Sequence, residues 1–560
     1  MATCSQVFNR KPVAQALCVA LALFAVHAHA EYTSTNRDVL VPNTGIWSAD
    51  GVTLGGTNFK VLGLQGVGRV AASTKDPVTG ESLGSISDLQ ITGFHSTGAG
   101  SYAGTFNFLP DRGYNSGAIY SNYAARINSF DFSFTPWTSN GVTTAQNQIQ
   151  MTFNGSSRFT YDHDGNAATA PIYTTGLLPT SSATTLFGVK VPTVSASVTQ
   201  SDGSFSNRLT LDTEGLVLDP RAGKAGSGWV SDEYGAFIYH FDANKVIDGQ
   251  LELPEAMVTH NAGGADDFVV GQASGTQLNG RRINQGMEGI ALSPDGSKLF
   301  GLLQSATIQD SGAGNQGRSN ARLVVYDVTG SDLPNDPSAQ YVIQLPRIDD
   351  TGSTTNGTSV NRTGAQSAIV ALNDHQLLIL ARDGNGRGAS GSPVFKSVLL
   401  ADLNGATNID GLYDATGAQT APSGTLLPSI TPVAWTEALN MLGKLDLGVS
   451  ELEQFGLNTN AAPGNTNSLS EKWEGLGLVP VGDGSNDYFL FVGNDNDFIS
   501  ASGAYMDANG VLQTYNSGLE NDTLVLAYRV SATPVPLPAA AWLMASGAAG
   551  LLGWARRRRS

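Results

Sequence analysis

The sequence predicts an all-β, propeller-like chain of five to seven blades with long loops, and three observations predict it. The first is a phrase written three times: Thr213-Glu214-Gly215-Leu216-Val217-Leu218, Met287-Glu288-Gly289-Ile290-Ala291-Leu292 and Trp473-Glu474-Gly475-Leu476-Gly477-Leu478. The second is an apolar run ending in polar residues, found downstream of each copy: Gly228-Trp229-Val230-Ser231-Asp232-Glu233, Leu299-Phe300-Gly301-Leu302-Leu303-Gln304-Ser305 and Tyr488-Phe489-Leu490-Phe491-Val492-Gly493-Asn494-Asp495. The third is composition. Of 560 residues 41% are hydrophobic, only 14% are charged and 66 are glycine, which suits short strands joined by many turns.

Taken in chain order, residues 1–30 read as a secretory signal peptide. Arg10 and Lys11 precede an apolar run from Val13 to Val26, and Ala28-His29-Ala30 offers a small-x-small cleavage site before Glu31. Residues 31–530 read as one β-repeat domain. Ser85–Ile91 leading to Phe106–Gly113, and Gln366–Leu372 leading to Leu378–Gly384, add two degenerate copies of the repeat. Landmarks then fall near 88, 214, 288, 368 and 474. Their spacing exceeds a simple blade of ~40–50 residues, so either the loops are long or some blades lack the phrase. Ser293-Pro294-Asp295-Gly296-Ser297-Lys298 is a turn between strands. Thr523 to Val530 is expected to close the ring by pairing with N-terminal strands. Val433 to Leu447, through Glu437-Ala438-Leu439-Asn440-Met441-Leu442, is a helix candidate.

Residues 531–538 form a Pro-rich linker, 539–555 an apolar stretch near the lower limit of about 17 residues for a transmembrane helix, and 556–560 a basic, cytoplasmic end. This order resembles the PEP-CTERM sorting signal of exopolysaccharide-producing bacteria, with Val535-Pro536-Leu537-Pro538 in place of Pro-Glu-Pro. The resemblance implies an exosortase-type processing enzyme as partner; a plain membrane anchor is the alternative. Export to the cell envelope is expected either way, with the chain held by its C-terminal helix or released after processing.

The formal net charge is −17, and Arg10, Lys11 and Arg556–Arg559 all lie in the two terminal segments. Nucleic acid is excluded as a partner, since binding its phosphates needs a basic face. Cys4 and Cys18, the only cysteines, both lie in the leader. That excludes a disulfide framework, a thiolate metal site and a cysteine nucleophile from the exported part. Gly388-Ala389-Ser390-Gly391-Ser392 lacks the closing glycine of a nucleophile elbow, which argues against an α/β-hydrolase triad.

A glutamate at the mouth of a strand, repeated around a symmetric architecture, brings carboxylates to one axis. Glu214, Glu288 and Glu474 are expected there, near Asp88, Asp111, Asp232, Glu233, Asp383 and Asp495. Such an all-oxygen set suits Ca²⁺, or Mg²⁺ or Mn²⁺ with more waters. A cation there polarises a phosphoryl oxygen and activates water, so the expected substrate is an anionic small molecule or polymer. Arg112 and Arg382 either grip that anion or pair with a nearby acid. Gln304 and Asn494 are candidate hydrogen-bond donors to it. The competing reading has these carboxylates capping backbone amides. The glycine after each glutamate serves backbone geometry. Asp162-His163-Asp164-Gly165-Asn166 is a calcium loop or a simple turn, and His240, His260 and His375, isolated in sequence, are structural.

The three Glu-Gly phrases, together with Trp229–Gly235, Leu303-Gln304-Ser305 and Gly493-Asn494-Asp495-Asn496-Asp497-Phe498, resemble the phytase-like family, also called the esterase-like activity of phytase family. The likeness runs from Val61 to Val530. It implies a propeller-like fold and hydrolysis of phosphoric or carboxylic esters. The expected function is an exported, metal-dependent hydrolase with Glu214, Glu288, Glu474, Arg112 and Arg382 as its catalytic residues. A non-catalytic, calcium-stabilised propeller that binds a ligand or matrix polysaccharide is the alternative, and an adhesive surface protein a third.

Overall fold

Among the described residues five large sheets, antiparallel except for one short parallel pair in the second, each contribute an innermost strand to a central ring, with four small two- and three-stranded sheets beside them. The computed structural model describes residues 38–39, 47–139, 141–163, 170–195, 207–269, 277–351, 360–444, 450–459 and 467–534. The signal peptide, residues 535–538 of the Pro-rich segment, the C-terminal apolar span and residues 164–166 of the Asp162 loop lie outside them; residues 531–534, read from the sequence as linker, instead continue the last strand, because Thr57–Lys60 offer them a pairing edge. No helix among the described residues is long and apolar enough to cross a membrane. The described residues from Val39 onward group as one compact unit.

The central strands are β1 (Asp88–Gly98), β2 (Thr213–Leu218), β3 (Met287–Leu292), β4 (Ala365–Ala371) and β5 (Lys472–Pro480). In the first four sheets the next strands continue as meanders. In the first, β1 leads to Ser101–Leu109, Arg126–Phe134 and Ile149–Arg158. In the third, β3 leads to Lys298–Leu303, Asn320–Asp327 and Ala339–Gln344. The second sheet is extended by Thr160–Tyr161 and Ile172–Tyr173. The central strands pack side by side in the closed order β1, β2, β3, β4, β5 and back to β1. This all-β ring is propeller-like.

Closure matches the expectation for the last strand. Thr523–Pro534 pairs with Asp487–Asp495 on one side and with Thr57–Val70 on the other, from Thr57 opposite Pro534 to Val70 opposite Thr523. The fifth sheet is thus stitched from both ends of the described chain, and long-range strand pairing replaces an open edge.

Packing between neighbouring sheets explains the near-continuous apolar strands. Gln376–Arg382 is buried along its whole length. Between the fifth and first sheets lie Leu89, Phe106, Phe132, Phe489, Phe491 and Val525, with Phe106 and Phe132 stacked at 3.8 Å between ring centroids. Each such side chain contributes roughly 1.5–3 kcal/mol of burial.

Val433–Leu447 corrects the sequence reading. Ala434–Asn440 is a strand that pairs with Lys396–Asp402. Ala, Glu, Leu and Met favour a helix locally, but the outer edge of the fourth sheet offers this segment a ladder and Trp435 Nε1 donates to Gln344 O at 2.7 Å.

Candidate active site

Each Glu-Gly phrase makes a β-bulge. Opposite Leu303–Leu302, strand β3 places Met287, Glu288 and Gly289, so the glutamate is the extra residue. The same insertion places Glu474 between Trp473 and Gly475, and Ser367 between Gln366 and Ala368. In β2 the extra residue lies between Thr213 and Leu216, at Glu214-Gly215. A bulge breaks the in-out alternation and re-aims one side chain. The following glycine lets the next central strand approach. A Cβ on Gly475 would stand 2.2 Å from Ile86 Cγ2, and one on Gly215 would stand 2.9 Å from the Glu288 carbonyl oxygen.

The result is convergence. Glu214, Glu288 and Glu474 each offer a carboxylate oxygen within 4.8 Å of the others, and all three are buried. They line a cavity of about 280 Å³ with Asp111, Arg112, Glu233, Gln304, Arg318, Arg362, Arg382, Asp383 and Lys472 in its wall. Gln304 donates to Oε1 of Glu288 at 2.6 Å, while Oε2 of Glu288 is buried without a hydrogen-bond partner. Arg382 bonds Glu474 and is itself fixed by Ser367 Oγ at 3.0 Å. Burial pushes the Glu214 and Glu288 carboxyls well above the ordinary range, and neighbouring carboxylates push further: Glu288 acts on Glu214, and Glu474 on Glu288.

Two further carboxylate groups flank the triad. Asp212 and Glu233 approach Glu214, and Arg112 lies against both, 2.8 Å from Asp212 Oδ2 and 3.7 Å from Glu233 Oε2. Asp111, Asp495 and Asp497 form the other, with Lys472 Nζ 2.6 Å from Asp497 Oδ1 and 3.6 Å from Asp495 Oδ2. Burial raises Asp111 and Asp212 to about 7, with the Asp212 charge adding to the effect on Asp111. Burial also opposes the charge on Lys472, but Asp497, Glu474 and Asp495 outweigh it and hold the amine well above its usual value.

Of the sequence-predicted acids, Glu233, Asp111 and Asp495 thus belong to the flanking groups. Three others are committed to backbone amides. Asp88 accepts from Leu216 N and Leu89 N, each at 2.8 Å, and so clips β1 to β2. Asp232 accepts from Asp212 N at 2.9 Å and Gly235 N at 2.6 Å. Asp383 lines the cavity, yet its oxygens are taken by Phe395 N at 2.7 Å and Lys396 Nζ at 2.6 Å. For these the amide-capping reading describes what the carboxylates do. Arg112 and Arg382 face carboxylates of the protein, and Gln304 holds Glu288. Asn494 lies away from the cavity wall and donates to Asp495 O and Asp522 O. His260 is not isolated in space: its Nε2 is 3.1 Å from Glu255 and 3.3 Å from Asp266.

Asp212, Lys472, Arg318 and Arg362 were not expected. Asp212 and Lys472 each stand two residues before a motif glutamate, but Asp212 precedes β2 and the glutamates sit in bulges, so strand alternation does not mark them; a charged residue at the same offset before two of the three phrases was the usable signal. Arg318 and Arg362 sit at the end of a 3₁₀ turn and in a two-residue strand, where no periodicity marks them.

Among curated proteins the chain is 28% identical over 483 residues to an uncharacterized secreted protein of Arthroderma benhamiae, covering 80% of this chain and 89% of that protein. Among solved structures it is similar to the PQQ-bound aldose sugar dehydrogenase of Streptomyces coelicolor, at 9% identity, 85% and 98% coverage of the two chains and a TM-score of 0.24. It is also similar to the periplasmic gluconolactonase PpgL of Pseudomonas aeruginosa, at 10% identity, 84% and 99% coverage and a TM-score of 0.26. TM-scores this low carry no functional weight. Residues 92–498, which hold all three Glu-Gly phrases and the whole carboxylate junction, match the phytase-like family described as esterase-like activity of phytase, and the chain belongs to that family.

Proposed function

We propose that this protein is an exported hydrolase of phosphoric or carboxylic esters, built on a five-bladed propeller and working with a hard divalent cation. One observation carries the reading. Glu214, Glu288 and Glu474 meet, buried, in the lining of a cavity that also bears arginines. The donor set fits such a cation: it is all oxygen, and Oε2 of Glu288 is buried with no partner. Ca²⁺ suits the site best, with Mg²⁺ or Mn²⁺ as alternatives. When bound, it would polarise an ester oxygen and lower the pKa of a water.

The chain's own residues prepare that site. Gln304 holds one oxygen of Glu288 and leaves the other for the axis. Ser367 fixes Arg382, which orients Glu474. Arg112 balances Asp212 and Glu233, so their charge does not add fully to that of the triad. Export is supported by the signal-like leader and by the description of the Arthroderma relative as secreted. Anchoring by the C-terminal apolar segment, or its removal by an exosortase-type enzyme, belongs to the same proposal.

The second reading, a calcium-stabilised propeller that binds a ligand or matrix polysaccharide without turnover, is favoured by one fact: Arg112 and Arg382 both face protein carboxylates. The purified protein should be assayed on phenyl phosphate and phenyl acetate with Ca²⁺, Mg²⁺, Mn²⁺ or EDTA, beside Glu288→Gln. Metal-dependent turnover lost in the variant supports the hydrolase. A cation that raises the melting temperature with neither ester cleaved supports the binding protein.

A further inference from the structure

The structure assigns a Zn²⁺ site to Glu255, His260 and Asp266, outside the central cavity and independent of the hydrolase reading. Two acids and a hydroxyl converge on one ring nitrogen. His260 Nε2 lies 3.1 Å from Glu255 Oε2, 3.3 Å from Asp266 Oδ1 and 3.4 Å from Thr416 Oγ1. A single N–H serves one acceptor well, so three oxygens about one nitrogen are more than hydrogen bonding uses. The spacing is that of a coordination shell: ligand atoms about 2.0–2.1 Å from a tetrahedral zinc stand roughly 3.3 Å from one another. The imidazole is 1% exposed and the Glu255 side chain 57%, so an ion reaches the ring from solvent on the glutamate side.

Backbone pairing builds the site. His260 is bridged antiparallel to Asp266 on one side and to Asn279 on the other. Residues directly opposite in an antiparallel pair project to the same face, so Asp266, His260 and Asn279 share one. Asn279 points to a ligand independently. It is 4% exposed, and among the described residues its Oδ1 has no hydrogen-bond partner. Its amide end reaches the residue after Thr416, since a Cβ on Gly417 would stand 3.3 Å from Asn279 Nδ2. An orphaned buried amide oxygen is costly, and a cation on that face would give it a partner. Asp266 is oriented in advance: Lys190 Nζ holds its Oδ2 at 2.6 Å and leaves Oδ1 for the ring side. Donor chemistry separates this site from the axial triad. The triad is all oxygen and suits Ca²⁺, whereas an imidazole with two carboxylates suits zinc. His260 Nδ1 is buried with no partner among the described residues, and lack of that outer bond weakens a metal site roughly 10–100-fold. The ion is therefore a staple of moderate affinity. It ties the loop after Val246–Gln250 to the loop between Lys396–Asp402 and Ala434–Asn440, which already meet where Ala256 N donates to Asp414 O at 2.8 Å.

The test is calorimetric titration of the full, EDTA-stripped protein with Zn²⁺, in saturating Ca²⁺ so that the triad is occupied. X-ray absorption at the zinc edge is the second arm. Wild type should take up a zinc whose shell contains one imidazole. Glu255→Gln should weaken it about tenfold or more, and His260→Gln should abolish it. Saturating zinc should raise the melting temperature of wild type and leave that of His260→Gln unchanged. Glu255 is exposed, so Glu255→Gln decides the matter even where His260→Gln fails to fold. Glu288→Gln should keep this zinc; its loss there would place the ion at the triad and overturn the site. Zinc held equally by wild type and Glu255→Gln, a zinc shell without imidazole, or no uptake by wild type also overturns it and leaves His260 as an ion-pair partner of the two acids.

Discussion

The axial triad and the Asp111–Asp495–Asp497 group pose the same electrostatic problem, each with one internal cation, and differ in which carboxylate that cation leaves unserved. Both bring three carboxylates within 4.8 Å inside the protein. In the aspartate group Lys472 supplies the counter-charge from within, 2.6 Å from Asp497. In the triad Arg382 reaches Glu474, while the remaining oxygen of Glu288 has no partner at all. Buried like charges without compensation are costly, so sequences retain them where a ligand completes the set. Each group holds one internal cation, but the free oxygen of Asp495 still lies 3.6 Å from Lys472, whereas that of Glu288 has neither a hydrogen bond nor an ion pair, and that is where a ligand would enter.

The largest effect expected from this contrast comes from removing the internal cation. Lys472→Met should destabilise the protein by about 3 kcal/mol in urea unfolding, since it strands buried carboxylates. Added Ca²⁺ should restore little of that loss if the triad is the cation's site. Full recovery would mean that the two groups are interchangeable and would break the comparison.

Next is the response to metal. Saturating Ca²⁺, at ~100 times its dissociation constant, should stabilise wild type by roughly 2.7 kcal/mol and Glu288→Gln by far less. Thermal melts with and without EDTA measure both. In EDTA the variant should match or exceed wild type, because one uncompensated buried charge has been removed.

Gly475→Ala tests the scaffold. Its Cβ would stand 2.2 Å from Ile86 Cγ2, so overpacking should cost about 1–3 kcal/mol, read from the urea midpoint. A neutral result would show that β5 and β1 have room between them and that the glycine is not needed for their approach.

The smallest effect is on pH dependence. Glu214 and Glu288 have folded pKa values raised above the unfolded one, so the folded state binds their protons more tightly. That contribution favours folding at low pH and is lost as pH rises through the folded values. In EDTA the melting temperature should therefore fall from weakly acid to alkaline pH, and the calcium-induced shift should grow over the same range. A calcium shift independent of pH would show that protons and the cation do not compete.

Much of this was legible because strands write their geometry into alternation. Glu214, Glu288 and Glu474 were found from a repeated phrase, and their glycines from the need for close backbones. The landmarks near 88 and 368 do fall on central strands, at β1 and β4. Val433–Leu447 misled because its helix-favouring residues are overruled by a neighbouring strand. Asp88, Asp232 and Asp383 misled because an acid beside a motif looks the same whether it faces an amide or an axis. Arg318 and Arg362 were illegible, since residues far apart in loops meet only once the ring has formed, and the Glu255–His260–Asp266 contact, though local, lies in a loop where no periodicity marks it.

The most direct test is an anomalous difference map from a crystal soaked in Mn²⁺. The account predicts a peak roughly 2.0–2.6 Å from oxygens of Glu214, Glu288 and Glu474. No peak there, with density instead at Glu255, His260 and Asp266, would contradict it.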